Sequence, residues 1–195
     1  LAVSTALGGA IPTSTGPFGG VVGWDFMVNH TGTVDGIWWY QPPGSAAAVT
    51  PGLYDTQTQA LIATAPPTPG LPAGAWSMIP LTVPVAVTPG VVYTAAAYQN
   101  NSIGFFSNGV LDQYRFASPF TILNHGGRVQ GAGALQFPAN FFNDIYGVDV
   151  NFTATEPCAP CPPCPPTEGF LINLTSPGFV HVVTDHQMKR FRPAA

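Results

Sequence analysis

Gly74-Ala-Trp-Ser-Met-Ile-Pro-Leu-Thr-Val-Pro-Val-Ala-Val-Thr-Pro-Gly-Val-Val-Tyr-Thr-Ala-Ala-Ala-Tyr98 is the stretch whose reading decides the fold. β-Branched and aromatic residues alternate between proline and glycine breakers, and no apolar spacing of three to four residues appears. The stretch therefore predicts two or three strands. Trp76, Met78, Ile79 and Leu81 cannot share one strict alternation. A bulge or a change of partner is expected near Pro80, because proline cannot donate to a ladder. Val85 and Val87 lead to a turn at Thr88-Pro89-Gly90, and Val92 to Tyr98 forms the next strand.

Composition points the same way. Charged residues are only 7% of the 195 residues while apolar ones are 46%, and glycine and proline number 22 each. Such a chain is not a charge-rich disordered one, and no apolar run reaches the roughly 18 to 20 residues that cross a bilayer as a helix. Membrane insertion is not expected. Many short strands joined by turns are. Lys189, Arg190 and Arg192 leave the rest of the chain acidic, which argues against a nucleic-acid footprint. So little charge gives little protection against association, and a partner is expected.

Residues 1–16 are small and polar and predict an extended arm ordered by a partner. The first ten residues lack the basic and long apolar regions of a signal peptide, so either a leader has been removed or there was none. Trp24, Phe26 and Val28 should face a core, with Gly23, Asp25 and Met27 outward. After a turn at Asn29-His30-Thr31-Gly32, the strand Val34 to Tyr40 should point Ile37 and Trp39 inward and Trp38 and Tyr40 the other way. Val49 to Tyr54 and Ala60 to Ala65 predict a hairpin. Residues 99–143 are the least regular part. Tyr146, Val148, Val150 and Phe152 alternate against Gly147, Asp149 and Asn151 as the clearest single strand. The expected fold is an all-β antiparallel sandwich, jelly-roll or Ig-like, over 17–154.

Phe26, Gly32-Thr-Val-Asp-Gly-Ile-Trp-Trp-Tyr40, Leu53-Tyr-Asp55, Ala60-Leu-Ile-Ala63, Gly74-Ala-Trp76, Pro84 to Tyr93 and Tyr146 to Phe152 fall in the order and spacing of a bacterial family. Over about residues 16–154 the chain resembles this uncharacterised β-sandwich domain of unknown function. The family occurs in secreted and cell-surface proteins beside Ig-like repeats and carbohydrate-active modules. The resemblance implies a sandwich and a surface context, and it brings no active-site residues.

Cys158, Cys161 and Cys164 recur every third residue in a proline-rich run, 155–167, that predicts a polyproline II linker. Their sulfurs then share one face roughly 9 Å apart, beyond the ~7 Å Cα limit for a disulfide between neighbours. Three free thiols on a stiff spacer, interchain contacts with other copies, and a zinc knuckle are the alternatives. Prolines and the missing fourth ligand oppose the zinc knuckle. Residues 168–195 predict a hairpin and a basic tail. Phe170 and Ile172 lie on one strand, and Phe179 and Val182 on the other. A lone hairpin does not stand in water, so these residues, with the cysteines, are the candidate interchain contacts.

No catalytic constellation is evident. His30, His125, His181 and His186 lie in unlike contexts, no metal or cofactor is expected, and the acids show no spacing for paired-carboxylate chemistry. Sugars stack on exposed aromatic faces, which makes Trp38 and Tyr40, with Phe105 and Tyr114 in the irregular segment, the glycan candidates. The contrary reading is that an arm or a neighbouring subunit covers them. The Ala/Gly/Pro-rich, lysine-poor composition is associated with GC-rich bacteria and their phages. The expected function is a non-enzymatic structural virion protein of a bacteriophage, namely a minor tail, fibre or capsid-decoration subunit. Its expected partners are other copies of itself, a trimer included, other virion proteins and a host-surface glycan. The alternative is a secreted bacterial cell-surface module for carbohydrate binding or adhesion.

Overall fold

A computed structural model describes residues 3–4, 12, 14–106, 119–131, 133–142 and 145–155. These belong to the first of two compact units, Leu1–Ala159 and Pro160–Ala195. The described residues contain strands and no helix, and every ladder is antiparallel. One sheet has the order β1 (Val3–Ser4), β13 (Val148–Ala154), β4 (Gly32–Gln41), β7 (Ala75–Val87). A second runs β11 (Asn140–Phe141), β10 (Phe120–Gly131), β3 (Gly20–Val28), β8 (Tyr93–Gln99), β5 (Thr50–Asp55), β6 (Leu61–Thr64). A small third sheet joins β12 (Ile145–Tyr146), β9 (Ser102–Phe106) and β2 (Ser14–Pro17). The architecture is a β-sandwich, as expected from the turn-rich, β-branched sequence.

The core follows the period-two pattern. Trp24, Phe26 and Val28 of β3, Ile37 and Trp39 of β4, and Val148, Val150 and Phe152 of β13 are buried in one cluster. Trp24 packs edge-on against Phe26 with centroids 5.6 Å apart, Phe26 meets Phe120 at 6.1 Å, and Phe120 meets Phe152 at 5.4 Å. That last contact joins β10 of the six-stranded sheet to β13 of the four-stranded one. The Trp24 indole N–H donates to the Val148 carbonyl, a second link between the same sheets.

The irregularity expected near Pro80 is a bulge. Val34 pairs with Val85 and Gly36 with Pro80, so Leu81 to Pro84 stand opposite Asp35 alone. Within it Leu81 turns into the core, while the Thr82 hydroxyl donates to the Thr64 carbonyl of β6 at 2.7 Å, linking the two sheets at this edge. The segment 99–143 holds a strand that its sequence hides. β10 pairs with β3 on both sides of a second bulge, between Leu123 and Arg128, and those extra residues interrupt the alternation. The Tyr146 to Phe152 run splits at Gly147, so that Tyr146 pairs with β9 and Val148 onward with β4. All four of its alternating side chains are nonetheless buried.

The described parts of the N-terminal arm are extended and pair within the chain. Val3 and Ser4 lie beside Thr153 and Phe152, and Ser14 to Pro17 beside Phe105 to Ser102. At these positions the sandwich itself supplies the ladder that the sequence reading sought from a partner. The Pro/Cys linker with Cys158, Cys161 and Cys164, and the expected hairpin with Phe170, Ile172, Phe179 and Val182, lie outside the described residues, as does Tyr114.

Where β4 ends, buried amides hold the loop that follows. Gln41 accepts from the Trp39 indole at 2.7 Å and from the Gln99 amide at 2.9 Å, and donates to the Ser45 carbonyl at 3.0 Å. Gln99 also donates to the Ala47 carbonyl at 3.0 Å. The Ser45 hydroxyl donates to Gln99 Oε1 at 3.4 Å, so every side-chain polar atom of the two glutamines has a partner, which is the condition for tolerating them inside an apolar core.

Phe152 is fully buried between the sheets, and a Cβ on Gly32 would collide with its ring. Phe152→Ala is expected to cost about 3–5 kcal/mol of unfolding free energy. Gly32→Ala should also lower the midpoint of urea unfolding, by displacing the same ring rather than deleting it.

Candidate functional site

The outer face of the four-stranded sheet carries the first two sequence candidates. β4 lies between β13 and β7, with Trp38 opposite Asp149 on one side and Met78 on the other. Tyr40 stands opposite Trp76, and Gly36 opposite Asn151 and Pro80. The Trp38 indole N–H donates to Asn151 Oδ1 at 3.1 Å, and Asn151 Nδ2 donates to Asp35 Oδ1 at 2.7 Å. Both ends of the Asn151 amide are therefore used. The chain of two bonds fixes the indole and ties it to a carboxylate. Gly36 leaves room for Met78 on the same face, since a Cβ there would strike its thioether.

Trp38 is partly exposed and Met78 is 41% exposed. Tyr40 points to the same side of β4 but is 5% exposed, with its ring edge-on to Trp76 at 5.7 Å. Its role at this face is to support Trp76, which is partly exposed. Phe105 lies on β9 of the small third sheet, opposite Ser14 and Tyr146. The structure thus brings Trp38 and Tyr40 together on adjacent rows of one face and places Phe105 on a different sheet.

A model of the family described as Domain of unknown function (DUF4082) matches residues 15–148. The chain belongs to this family. No curated protein matches the chain. The DUF4082 span runs from β2 to the first residue of β13, so it includes Trp38, Tyr40, Met78 and Asp35, while Asn151 lies just past its end.

The six-stranded sheet of the DUF4082 domain has a covered outer face. Residues 133–142 cross it, placing Leu135 and Phe137 against Val21, Tyr54, Ala96 and Tyr98. Below them Asp25, expected to face solvent, is buried. Arg128 Nε donates to Asp25 Oδ1, and the Thr94 hydroxyl donates to the same oxygen at 2.7 Å. The Arg128 guanidinium lies 4.9 Å from the centroid of Phe137 and 4.1 Å from that of Phe141, and one of its nitrogens reaches the Pro138 carbonyl at 3.4 Å. Phe rings on the cation, a carboxylate and a carbonyl together replace the water that a buried guanidinium loses. These groups are committed to holding the covering segment rather than open to a ligand.

Tyr54 lies under the same segment, 5.7 Å from Phe137, and its hydroxyl has no hydrogen-bond partner. Burial pushes the phenol well above its ordinary range, because the phenolate would lose its hydration. Asp55, the last residue of β5, accepts from the Thr58 N–H at 2.8 Å and hydroxyl at 2.9 Å, and these bonds hold its carboxyl below the usual range. Elsewhere a shallow cleft of 290 Å³ is lined by Thr15, Gly16, Pro17, Pro43, Gly44 and Asn101 and contains no ionisable side chain. Among the described residues no group of three or more His, Cys, Asp or Glu is placed to hold a metal ion.

Asp35, Asn151 and Met78 were not singled out as site residues from the sequence. Alternation along β4 and β13 places Trp38 and Asn151 on outward positions, but only the pairing register puts them within reach of one another.

Arg128→Ala would leave Asp25 as an uncompensated buried charge and is expected to destabilise the domain by about 3–5 kcal/mol in chemical denaturation. A double change, Asp25→Asn with Arg128→Met, should recover much of that loss. Tyr54→Phe removes a buried hydroxyl that has no partner and should be neutral or stabilising by about 1 kcal/mol in the same assay.

Proposed function

We propose that this chain is a non-enzymatic structural protein of a bacteriophage virion, a minor tail, fibre or capsid-decoration subunit. In this reading it assembles with copies of itself and other virion proteins and displays the sandwich for attachment to a host-surface glycan. The observation that carries the reading is the surface. Asp25, Asp149 and Arg128 are buried, so Asp35 and Asp55 are the charged side chains that reach solvent among the described residues. At the same time Leu61, Ile62, Val83, Phe141 and Phe142 stand 41–62% exposed. A surface so poor in charge and so supplied with apolar side chains lacks the repulsion that keeps monomers apart. Burial in an assembly is the physical use for it.

The Trp38 face supports the attachment half of the reading. An indole held by Asn151, with Met78 as its cross-strand neighbour and a carboxylate on the same hydrogen-bonded chain, matches what a sugar offers, apolar C–H groups beside hydroxyl donors. The same face favours the second reading, a secreted bacterial cell-surface module for carbohydrate binding or adhesion. The sequence resemblance, which implies a surface context beside Ig-like and carbohydrate-active modules, points to the same setting.

Light scattering on the full chain is expected to give a multimer, with a trimer as the leading case; a monomer at micromolar concentration under both reducing and oxidising conditions would overturn assembly. Immunoelectron microscopy with an antibody to the sandwich separates the two settings. Label on phage particles is expected, and label confined to cell envelopes would transfer the reading to the secreted module.

A further inference from the structure

We infer that the Trp38 face selects uncharged sugar units over acidic ones, and that Asp35 sets this preference. The inference rests on the glycan-attachment reading and names the ligand class of that same face. Three features of the site lead to it.

The indole N–H is already given to Asn151, so a ligand meets Trp38 through the ring itself and gains contact from C–H groups rather than a hydrogen bond. Asp35 has given one oxygen to Asn151 and remains partly exposed, with acceptor capacity left on its carboxylate. A carboxylate only accepts, so the ligand must bring donors. Sugar hydroxyls do so, and a ligand carboxylate does not.

Charge decides between neutral and acidic sugars. Asp35 is one of the two described charged side chains in contact with solvent, and it is joined to Trp38 through the Asn151 amide, which bonds to both. Arg128 is the one arginine or lysine among the described residues; it is buried against Asp25 on the outer face of the other sheet. No described arginine or lysine is therefore available to receive a uronate or sialate at the Trp38 face. With no described arginine or lysine to offset Asp35, an acidic sugar stacked there would meet its charge, a penalty of about tenfold in affinity at low ionic strength. Asp149, the neighbouring acid on β13, is buried with one oxygen accepting from the Val150 N–H and adds no exposed charge.

The test uses the full chain on a glycan array at low ionic strength, followed by competition with matched oligogalactosides and oligogalacturonides of equal length. The neutral series is expected to bind about tenfold more tightly or better. Trp38→Ala should abolish binding of the neutral series, and Trp38→Phe, which keeps a ring, should retain part of it. Asp35→Asn, which keeps an acceptor for Asn151 and removes the charge, should close the gap between the series, as should high salt in the native chain. Equal binding of both series by the native chain, or a gap that survives Asp35→Asn, would overturn the selectivity while leaving glycan attachment standing. Absence of binding to every glycan on the array would remove the attachment reading itself.

Discussion

The rest of the structure depends on a buried aromatic column between the two sheets. Trp24 and Phe26 of β3, Phe120 of β10 and Phe152 of β13 touch in series, and the Trp24 indole reaches across to the Val148 carbonyl. These rings are among the largest side chains that the domain buries completely. The indole bond satisfies the one polar atom such a ring brings inside. Because β3 and β4 are inner strands of their sheets, fixing them between the column and their neighbours fixes every outward residue as well. Trp38 owes its position to Ile37 and Trp39, which point the opposite way into the core.

The two sheets treat their outer faces differently. The six-stranded sheet buries a second layer under residues 133–142, with Arg128 held by Phe137, Phe141, Asp25 and the Pro138 carbonyl. The four-stranded sheet leaves Trp38, Met78 and Trp76 at least partly open. This division also explains the surface charge. Among the described residues Asp25 and Arg128 are spent on internal pairing, and the acids that reach solvent are Asp35 and Asp55. A surface of that kind offers little electrostatic steering.

Much of the fold could be read from alternation and breakers. Trp24, Phe26, Val28, Ile37, Trp39, Val148, Val150 and Phe152 were expected inside and are. The Pro80 irregularity was expected, and it exists because four residues of β7 oppose one of β4. The misses have physical causes. β10 was hidden because its bulge breaks the period within the strand, and a period is all a single sequence displays. Asp25 was assigned to solvent because its alternation is right, while the segment that covers it is more than a hundred residues away in the chain.

By itself the sequence determined that the domain is all-β, where the turns fall and which side chains of each strand share a face, since these follow from spacing within a few residues. Only the tertiary structure decided which faces are covered, that Arg128 neutralises Asp25, that Tyr40 is buried beside Trp76, and that Asn151 links Trp38 to Asp35. Those outcomes depend on strand order and register. Pairs such as Trp38 and Asn151, separated by 113 positions, meet only once the sheet is assembled.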